Sequence, residues 1–249
     1  MLRKRSRLIA APIAAVALSL TIAGYQASAA GSSSDGAERS GKVTRAADAG
    51  PCLADATTLV GDLDGDGHAD KISNPGHTGT KMTIQWGTED GTFGAKQAVS
   101  KLLGAKRGEV ATAAVADFQN DGTLDMVVNI VKPSGIDDPA TARLAEYRPG
   151  PLSRADLGSD DSRHTDIGDS GEAQQLRIAN YGDDPYPDLA ILNNAGDGQL
   201  DRDVRLSTAG SGPGDYDDAM MQKYGQYAST GEPPAMPGDG WKHFYQTCS

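Results

Sequence analysis

Short apolar runs alternate with acidic, glycine-containing turns along the chain from about residue 55 to 208. Thr58-Leu59-Val60 leads into Asp62-Leu63-Asp64-Gly65-Asp66-Gly67-His68-Ala69-Asp70. Val110 to Ala116 leads into Asp117-Phe118-Gln119-Asn120-Asp121-Gly122-Thr123-Leu124-Asp125 and then Met126 to Val131. Leu176 to Ala179 leads into Asn180-Tyr181-Gly182-Asp183-Asp184-Pro185-Tyr186-Pro187-Asp188 and then Leu189 to Leu192. Runs this short, bounded by Gly and Asp, predict strands rather than helices. The first loop positions lie 55 and then 63 residues apart, so the unit is a repeat: strand, nine-residue acidic loop, strand.

The pattern continues after each loop. Met82 to Trp86 before Glu89-Asp90-Gly91-Thr92-Phe93, and Leu189 to Leu192 before Asn193-Asn194-Ala195-Gly196-Asp197-Gly198, each predict a strand entering a hairpin turn. Further β-rich stretches lie around Gln97 to Val99 and Asp203 to Leu206. Four antiparallel strands in about 55 to 60 residues is the content of a propeller blade. Ala111, Ala113, Ala114 and Ala179 supply the small residues expected where blades converge. The expected fold is all-β: a small or partial β-propeller of three to four four-stranded blades, near residues 55–100, 108–155 and 172–208. In the closing segment 209–249, Asp215 to Tyr227 has a helical look, prolines 233, 234 and 237 break it, and Trp241 to Thr247 reads as a last strand.

The start of the chain sets the expected compartment. Arg3, Lys4, Arg5 and Arg7 precede an apolar run from Leu8 to about Gly24, which ends at Ala27-Ser28-Ala29. That order reads as a signal peptide over residues 1–29, with the protein secreted to the extracellular space and not inserted in the membrane once cleaved. Residues 30–50 carry little to bury and are expected to be a disordered leader, which leaves 51–249 as the folded domain. Removing residues 1–29 takes away four positive and no negative charges, moving the net charge from −11 to −15. Such a surface repels nucleic acid. Cys52 and Cys248, the two cysteines of the chain, stand at the ends of the domain and are expected to pair in an exported protein.

The spacing of the carboxylates points to a cation. Ca²⁺ takes six to eight hard oxygen ligands in a flexible shell. Loop positions 1, 3, 5 and 9 can turn side-chain oxygens inward and position 7 can offer its carbonyl. In the first loop these are Asp62, Asp64, Asp66 and Asp70, with His68 giving its carbonyl. Four carboxylates this close repel one another unless a cation is present. The second loop keeps Asp117, Asp121 and Asp125, with Gln119 offering an amide oxygen. The third keeps Asn180, Asp184 and Asp188 but has Gly182 at position 3 and Pro185 at position 6, and is either a weaker site or an empty turn. For all three, an Asx-and-Gly turn that needs no ion is the alternative. An EF-hand is disfavoured because position 12 from Asp62 is Ser73 and not the bidentate Glu.

The loop D-x-D-G-D-G-x-x-D, in repeats of about 60 residues, resembles the FG-GAP or VCBS repeat of integrin α-chain propellers and many exported bacterial proteins. Phe93-Gly94-Ala95 matches part of the family's name. The resemblance covers roughly residues 55 to 208. It implies Ca²⁺ held by Asp62, Asp64, Asp66, the carbonyl of His68 and Asp70, and by the matching positions of the later loops, which include the carbonyls of Thr123 and Tyr186. Family propellers usually have about seven blades, more than this domain can hold.

No nucleophilic or phosphate-binding motif stands out. His68, His77, His164 and His243 have no neighbouring Ser, Cys or acid in a catalytic spacing. Trp86 reads as core. Trp241, Phe244, Tyr245, Tyr181 and Tyr186 are either an exposed ring patch or packing for the last sheet, and the acidic run Asp156 to Glu172 reads as a solvated loop. The expected function is a non-enzymatic, calcium-binding module that binds an extracellular protein or glycan. The alternatives are an exported polysaccharide-acting enzyme on the same scaffold and a purely structural unit.

Overall fold

Three antiparallel meanders account for most of the strands. A computed structural model describes residues 50–249 apart from 136, 169, 170, 230 and 239. The expected signal peptide and nearly all of the expected leader lie outside these described residues. The first sheet is β1 (Cys52–Asp55), β2 (Thr58–Gly61), β3 (Asp70–Ser73), β4 (Thr83–Gln85) and β5 (Gln97–Ala98), in that order. The second is β6 (Val110–Ala116), β7 (Asp125–Val131), β8 (Leu144–Arg148) and β9 (Arg163–His164). The third begins with β10 (Ala173–Ala179), β11 (Asp188–Gly196) and β12 (Gln199–Arg205). A small hairpin, β13 (Ser207–Thr208) with β14 (Gly212–Pro213), follows, and β15 (Gln226–Ser229) then completes the third sheet beside β12. Among the described residues no sheet closes on itself.

These segments are strands for reasons visible in their side chains. All seven residues of β7 are buried, as are six of the seven in β6, so each is covered on both faces and is apolar apart from Thr112, Asp125 and Asn129. Met126, Val127, Val128, Ile130 and Val131 supply the β-branched and long side chains that fit such a surface.

Several expected elements fall elsewhere. The first sheet has five strands, because Cys52–Asp55 adds one before β2, and the expected β-rich stretch Gln97 to Val99 stops at Ala98, where a short helix, α1 (Val99–Leu102), begins. Of Asp203 to Leu206, the first three residues end the third strand of the sheet at Arg205, and they do not form a fourth strand. The fourth comes from Gln226–Ser229, after the hairpin and helix α2 (Asp218–Tyr224). That helix is capped by the Asp217 side chain, which accepts from the Met220 N–H at 2.9 Å. The helical look of 215–227 is therefore right for its middle only. Trp241 to Thr247 is not a strand: Trp241–Phe244 forms a short helix, α3, and only Thr247 bridges back, in parallel, to Leu53. The hairpin turns at 89–91 and 197–198 are also not equivalent. The first joins β4 toward β5, whereas the second joins β11 to β12, one strand earlier. In the first sheet the β3–β4 connection is instead drawn inward.

That inward connection explains the alanines. Gly79, within it, accepts a hydrogen bond from the Ala113 N–H at 3.0 Å, and neighbouring Thr78 accepts one from the Leu176 N–H at 3.2 Å. It therefore lies between β6 and β10. A side chain at Gly79 would put Cβ 2.3 Å from the Ala113 carbonyl oxygen, so glycine is required there. Farther along the same edge of β6, the Trp241 indole N–H donates to the Val115 carbonyl at 2.8 Å, and the Tyr245 hydroxyl accepts from the Asp117 N–H at 2.7 Å. Residues 113, 115 and 117 alternate as a strand edge must, and each finds a partner. The C-terminal segment thus covers an exposed edge, and Trp241 and Tyr245 are buried.

The two ends of the domain meet. Leu53 donates to the Gln246 carbonyl and accepts from the Cys248 N–H, both at 2.8 Å. Cys52 and Cys248 are joined by a disulfide with Cα atoms 5.1 Å apart across 196 residues of chain. In the chain-entropy view, closing a loop of this length stabilises by up to about 5 kcal/mol. Urea titration of the oxidised protein and of the Cys52→Ser, Cys248→Ser double variant should show a loss of several kcal/mol, at most about 5.

Candidate metal centre

Each acidic loop ends on an aspartate that is the first residue of the next strand. Asp70, Asp125 and Asp188 are all 0% exposed, and each is held in the same way. One oxygen accepts the backbone N–H of loop position 2: Leu63 at 2.9 Å, Phe118 at 3.0 Å and Tyr181 at 2.6 Å. The other accepts an N–H from just beyond the strand that follows the aspartate's own: Gly87 at 2.7 Å, Gly150 at 2.8 Å and Ser207 at 2.9 Å. The donors lie two residues past the ends of β4, β8 and β12, which stop at Gln85, Arg148 and Arg205. Register explains this, because Lys71 pairs with Gln85, Met126 with Arg148 and Leu189 with Arg205. The start of the strand that each aspartate heads therefore lies beside the end of the next.

The donor residues come too close to the loop for an ordinary side chain. A Cβ on Gly87 would meet the Ala69 carbonyl oxygen at 2.4 Å, and one on Gly150 would meet that of Leu124 at 2.6 Å. At the third site the residue is Ser207, whose hydroxyl donates to the equivalent carbonyl of Pro187 at 2.5 Å. All three approaches are thus made to loop position 8.

Within the loops a second contact recurs. The position-5 carboxylate accepts the N–H of position 7 in each: Asp66 from His68 at 2.8 Å, Asp121 from Thr123 and Asp184 from Tyr186 at 2.9 Å. Position 4 takes a positive φ throughout, 75° at Gly65, 54° at Asn120 and 55° at Asp183, a conformation open to Gly, Asn and Asp. Position 1 differs. Asp62 accepts from Gly65 and Gly67, and Asp117 from Asp121 and Gly122. In the third loop Pro185 has no N–H to give, and the Asn180 amide instead meets His243 Nε2 at 2.7 Å.

Asp62, Asp64 and Asp70 bring one oxygen each to within 4.8 Å of one another. Oxygens around Ca²⁺ at 2.3–2.6 Å are at most about 5 Å apart across the shell, so this spacing fits that ion. Among the described residues no other trio of acid, His or Cys side chains is so close. Asp66 stands at the rim, where it and Asp64 both meet the guanidinium of Arg154. His68 is half-buried at position 7. The acids of the second loop do not gather to the same spacing, and Gln119 turns its amide nitrogen to the Gly210 carbonyl at 2.9 Å. In the third loop Asp184 is exposed while Asp188 is buried beneath it.

Burial dominates the protonation of these groups. It raises Asp70 from 3.8 to about 7 and Asp125 to about 6, against the backbone N–H groups that favour the anion; adjacent loop carboxylates add to the rise. Asp117 and Asp188 are raised for the same reason. Tyr147, whose hydroxyl donates to Asp125 at 2.9 Å, is pushed well above its ordinary value by burial.

Three donors in this arrangement, Gly87, Gly150 and Ser207, and the cation Arg154 were not legible as site residues. The donors follow their aspartates by 17, 25 and 19 residues, an interval that varies with strand and loop length. A Gly or Ser two residues past the strand after the aspartate's own was the available signal. Of the aromatics, Trp86 is buried as expected, and Trp241 and Tyr245 serve the interior. The exposed large rings among the described residues are Tyr216 and Tyr227. The run 156–172 is only partly solvated, since Thr165, Ile167 and Glu172 are buried.

A sequence model of the FG-GAP-like repeat matches residues 60–128. The matched stretch starts in β2, takes in the first and second acidic loops and ends in β7. The chain therefore carries an FG-GAP-like repeat. Among curated proteins and among solved structures the comparisons gave no match.

Two outcomes are expected from this geometry. Asp188→Asn keeps the shape of the least metal-like loop but turns an amide N–H₂ toward a backbone donor, so chemical denaturation should show a loss of about 2–3 kcal/mol. The raised aspartates bind protons more tightly in the folded than in the unfolded chain. Without divalent ions, their contribution to stability is full below pH 4 and is lost as pH rises toward about 7. Glu109, whose carboxyl is lowered by its hydrogen bonds from Arg143, has the opposite sign. In chelator, the fall in stability between pH 4 and 7 should be shallower for Asp70→Asn than for the unaltered protein.

Proposed function

We propose that this chain is a secreted, calcium-binding module in which the three sheets act as blades of a small, incomplete propeller, and that it works outside the cell as a non-enzymatic binding or adhesion protein for a surface protein or glycan. The observation that carries the reading is the convergence of Asp62, Asp64 and Asp70 in a loop whose architecture recurs twice more. The FG-GAP-like match over that loop supports a calcium role. Asp66 and the carbonyl of His68 complete the first ligand set. Asp117, Gln119, Asp121, Asp125 and the carbonyl of Thr123 form the second, and Asn180, Asp184, Asp188 and the carbonyl of Tyr186 the weakest. The disulfide between Cys52 and Cys248 supports an oxidising, extracellular setting. No helix among the described residues is long and apolar enough to cross a membrane.

Calcium in the first loop would neutralise carboxylates that repel one another and tie the end of β2 to the start of β3. Its expected effect is on rigidity. A thermal melt in excess chelator should show a lower midpoint that Ca²⁺ restores and Mg²⁺ restores poorly, because Mg²⁺ keeps its waters and requires a tighter octahedron. Asp64→Ala should lose most of the Ca²⁺ response. Asp183→Asn, which keeps the positive φ of a residue outside the ligand set, should retain it. Equal melts with chelator and with millimolar Ca²⁺ would rule out the calcium role. Saturable Ca²⁺-dependent binding in a screen of glycans and cell-wall polymers would support the module, and turnover of a polymer would replace it with the enzyme.

A further inference from the structure

The carboxylate oxygens of the first loop have two kinds of partner. Asp62 accepts from the Gly65 and Gly67 N–H groups, Asp64 Oδ1 from Asp66, Asp66 Oδ1 from His68, and Asp70 from Leu63 and Gly87. All these donors are backbone. The two oxygens left, Asp64 Oδ2 and Asp66 Oδ2, both face one side chain: Arg154, through Nε and Nη2. A backbone donor cannot leave without unfolding the loop, but a guanidinium can leave by rotating its side chain.

Arg154 is placed there by the segment that follows β8. Leu152 donates its N–H to the Leu63 carbonyl at 2.8 Å, and Pro151 lies so near Gly65 that a Cβ there would meet it at 2.8 Å. The guanidinium also lies over the Trp86 ring, 5.5 Å from its centroid. It roofs the Asp64 side chain, which is 7% exposed, while its own is 42% exposed. The segment is therefore anchored by its backbone, and the charged head is its movable part. The other loops are different. Among the described residues, the carboxylates of Asp117, Asp121 and Asp125 accept only backbone and tyrosine donors, and those of Asp184 and Asp188 only backbone donors. The arginine occurs where position 3 is a fourth carboxylate in place of Gln119 or Gly182.

We infer that Arg154 sets the cation affinity of the first loop: it is a built-in counter-ion on Asp64 and Asp66 that must swing away when a divalent cation binds through those carboxylates. This rests on the calcium reading above. A guanidinium and a divalent ion on one carboxylate repel at short range, so each weakens the other's hold by the same factor. The arginine keeps the acidic loop folded when no ion is bound, at the expense of ion affinity. It is a positioning residue and not a ligand.

Calorimetric titration of CaCl₂ into the disulfide-bonded protein tests this, comparing the unaltered chain with Arg154→Ala and Arg154→Lys. Arg154→Ala should bind Ca²⁺ roughly tenfold more tightly while melting at a lower temperature in chelator. Arg154→Lys should fall between, because an ammonium cannot bridge two carboxylates as a planar fork does; it also carries the comparison should the alanine variant not fold. Tryptophan emission should change on Ca²⁺ addition in the unaltered protein, as the guanidinium leaves Trp86, and change far less in Arg154→Ala. Equal or weaker Ca²⁺ binding by the folded variants would overturn the role of Arg154 and leave the calcium reading standing. No uptake by any of the three would overturn both.

Discussion

The buried aspartate that closes each acidic loop and heads the strand after it is the contact on which the rest of the architecture depends. Its two oxygens join an N–H from the loop that precedes it to an N–H from beyond the next strand, so three strand ends meet at one carboxylate. A carboxyl at 0% exposure is costly to bury, and burial is tolerable because these donors replace the water it loses. The same residue is in a position to offer an oxygen to an ion. Asp70 adds to this structural role a carboxylate oxygen within 4.8 Å of oxygens of Asp62 and Asp64, a spacing that could hold a metal ion.

The three sheets have the same corner but fill the space around it differently. In the first, an arginine from the segment between β8 and β9 covers the acids. In the second, Gln119 turns its amide nitrogen to Gly210 and removes one charge. In the third, proline at position 6 removes a donor, and Asn180 turns to His243. The series runs from a loop with more negative charge than backbone donors balance to one that holds its shape by hydrogen bonds alone. The carboxylates at positions 1, 3, 5 and 9 accordingly fall from four to three to two along the chain.

Covered strand edges tie the sheets together alongside an apolar core to which all three contribute. β6 would present an open edge, and the Gly79 carbonyl, the Trp241 indole and the Tyr245 hydroxyl occupy it in alternate register. The C-terminal segment that supplies two of these groups is fastened to β1 by hydrogen bonds on both sides of Leu53 and by the disulfide. The large aromatic residues near the C-terminus are consequently spent on the interior, which leaves Tyr216 and Tyr227 as the exposed large rings of the described residues.

Local chemistry made the repeat readable. Apolar runs bounded by Asp and Gly identify β2, β6 and β10 and the strands that follow them, because periodicity and turn preference act over a few residues. The acidic positions were equally plain, since Asp62, Asp64 and Asp70 are close in sequence as well as in space. The pairing of Cys52 with Cys248 was legible from their number and position alone. The fourth strand of the third sheet, the helical turn at Trp241, the donors Gly87, Gly150 and Ser207, and the arginine on the first loop were decided by tertiary structure. Each depends on which residues far apart in the chain come within hydrogen-bonding distance. Strand length and loop insertions set that distance, and no local pattern encodes it.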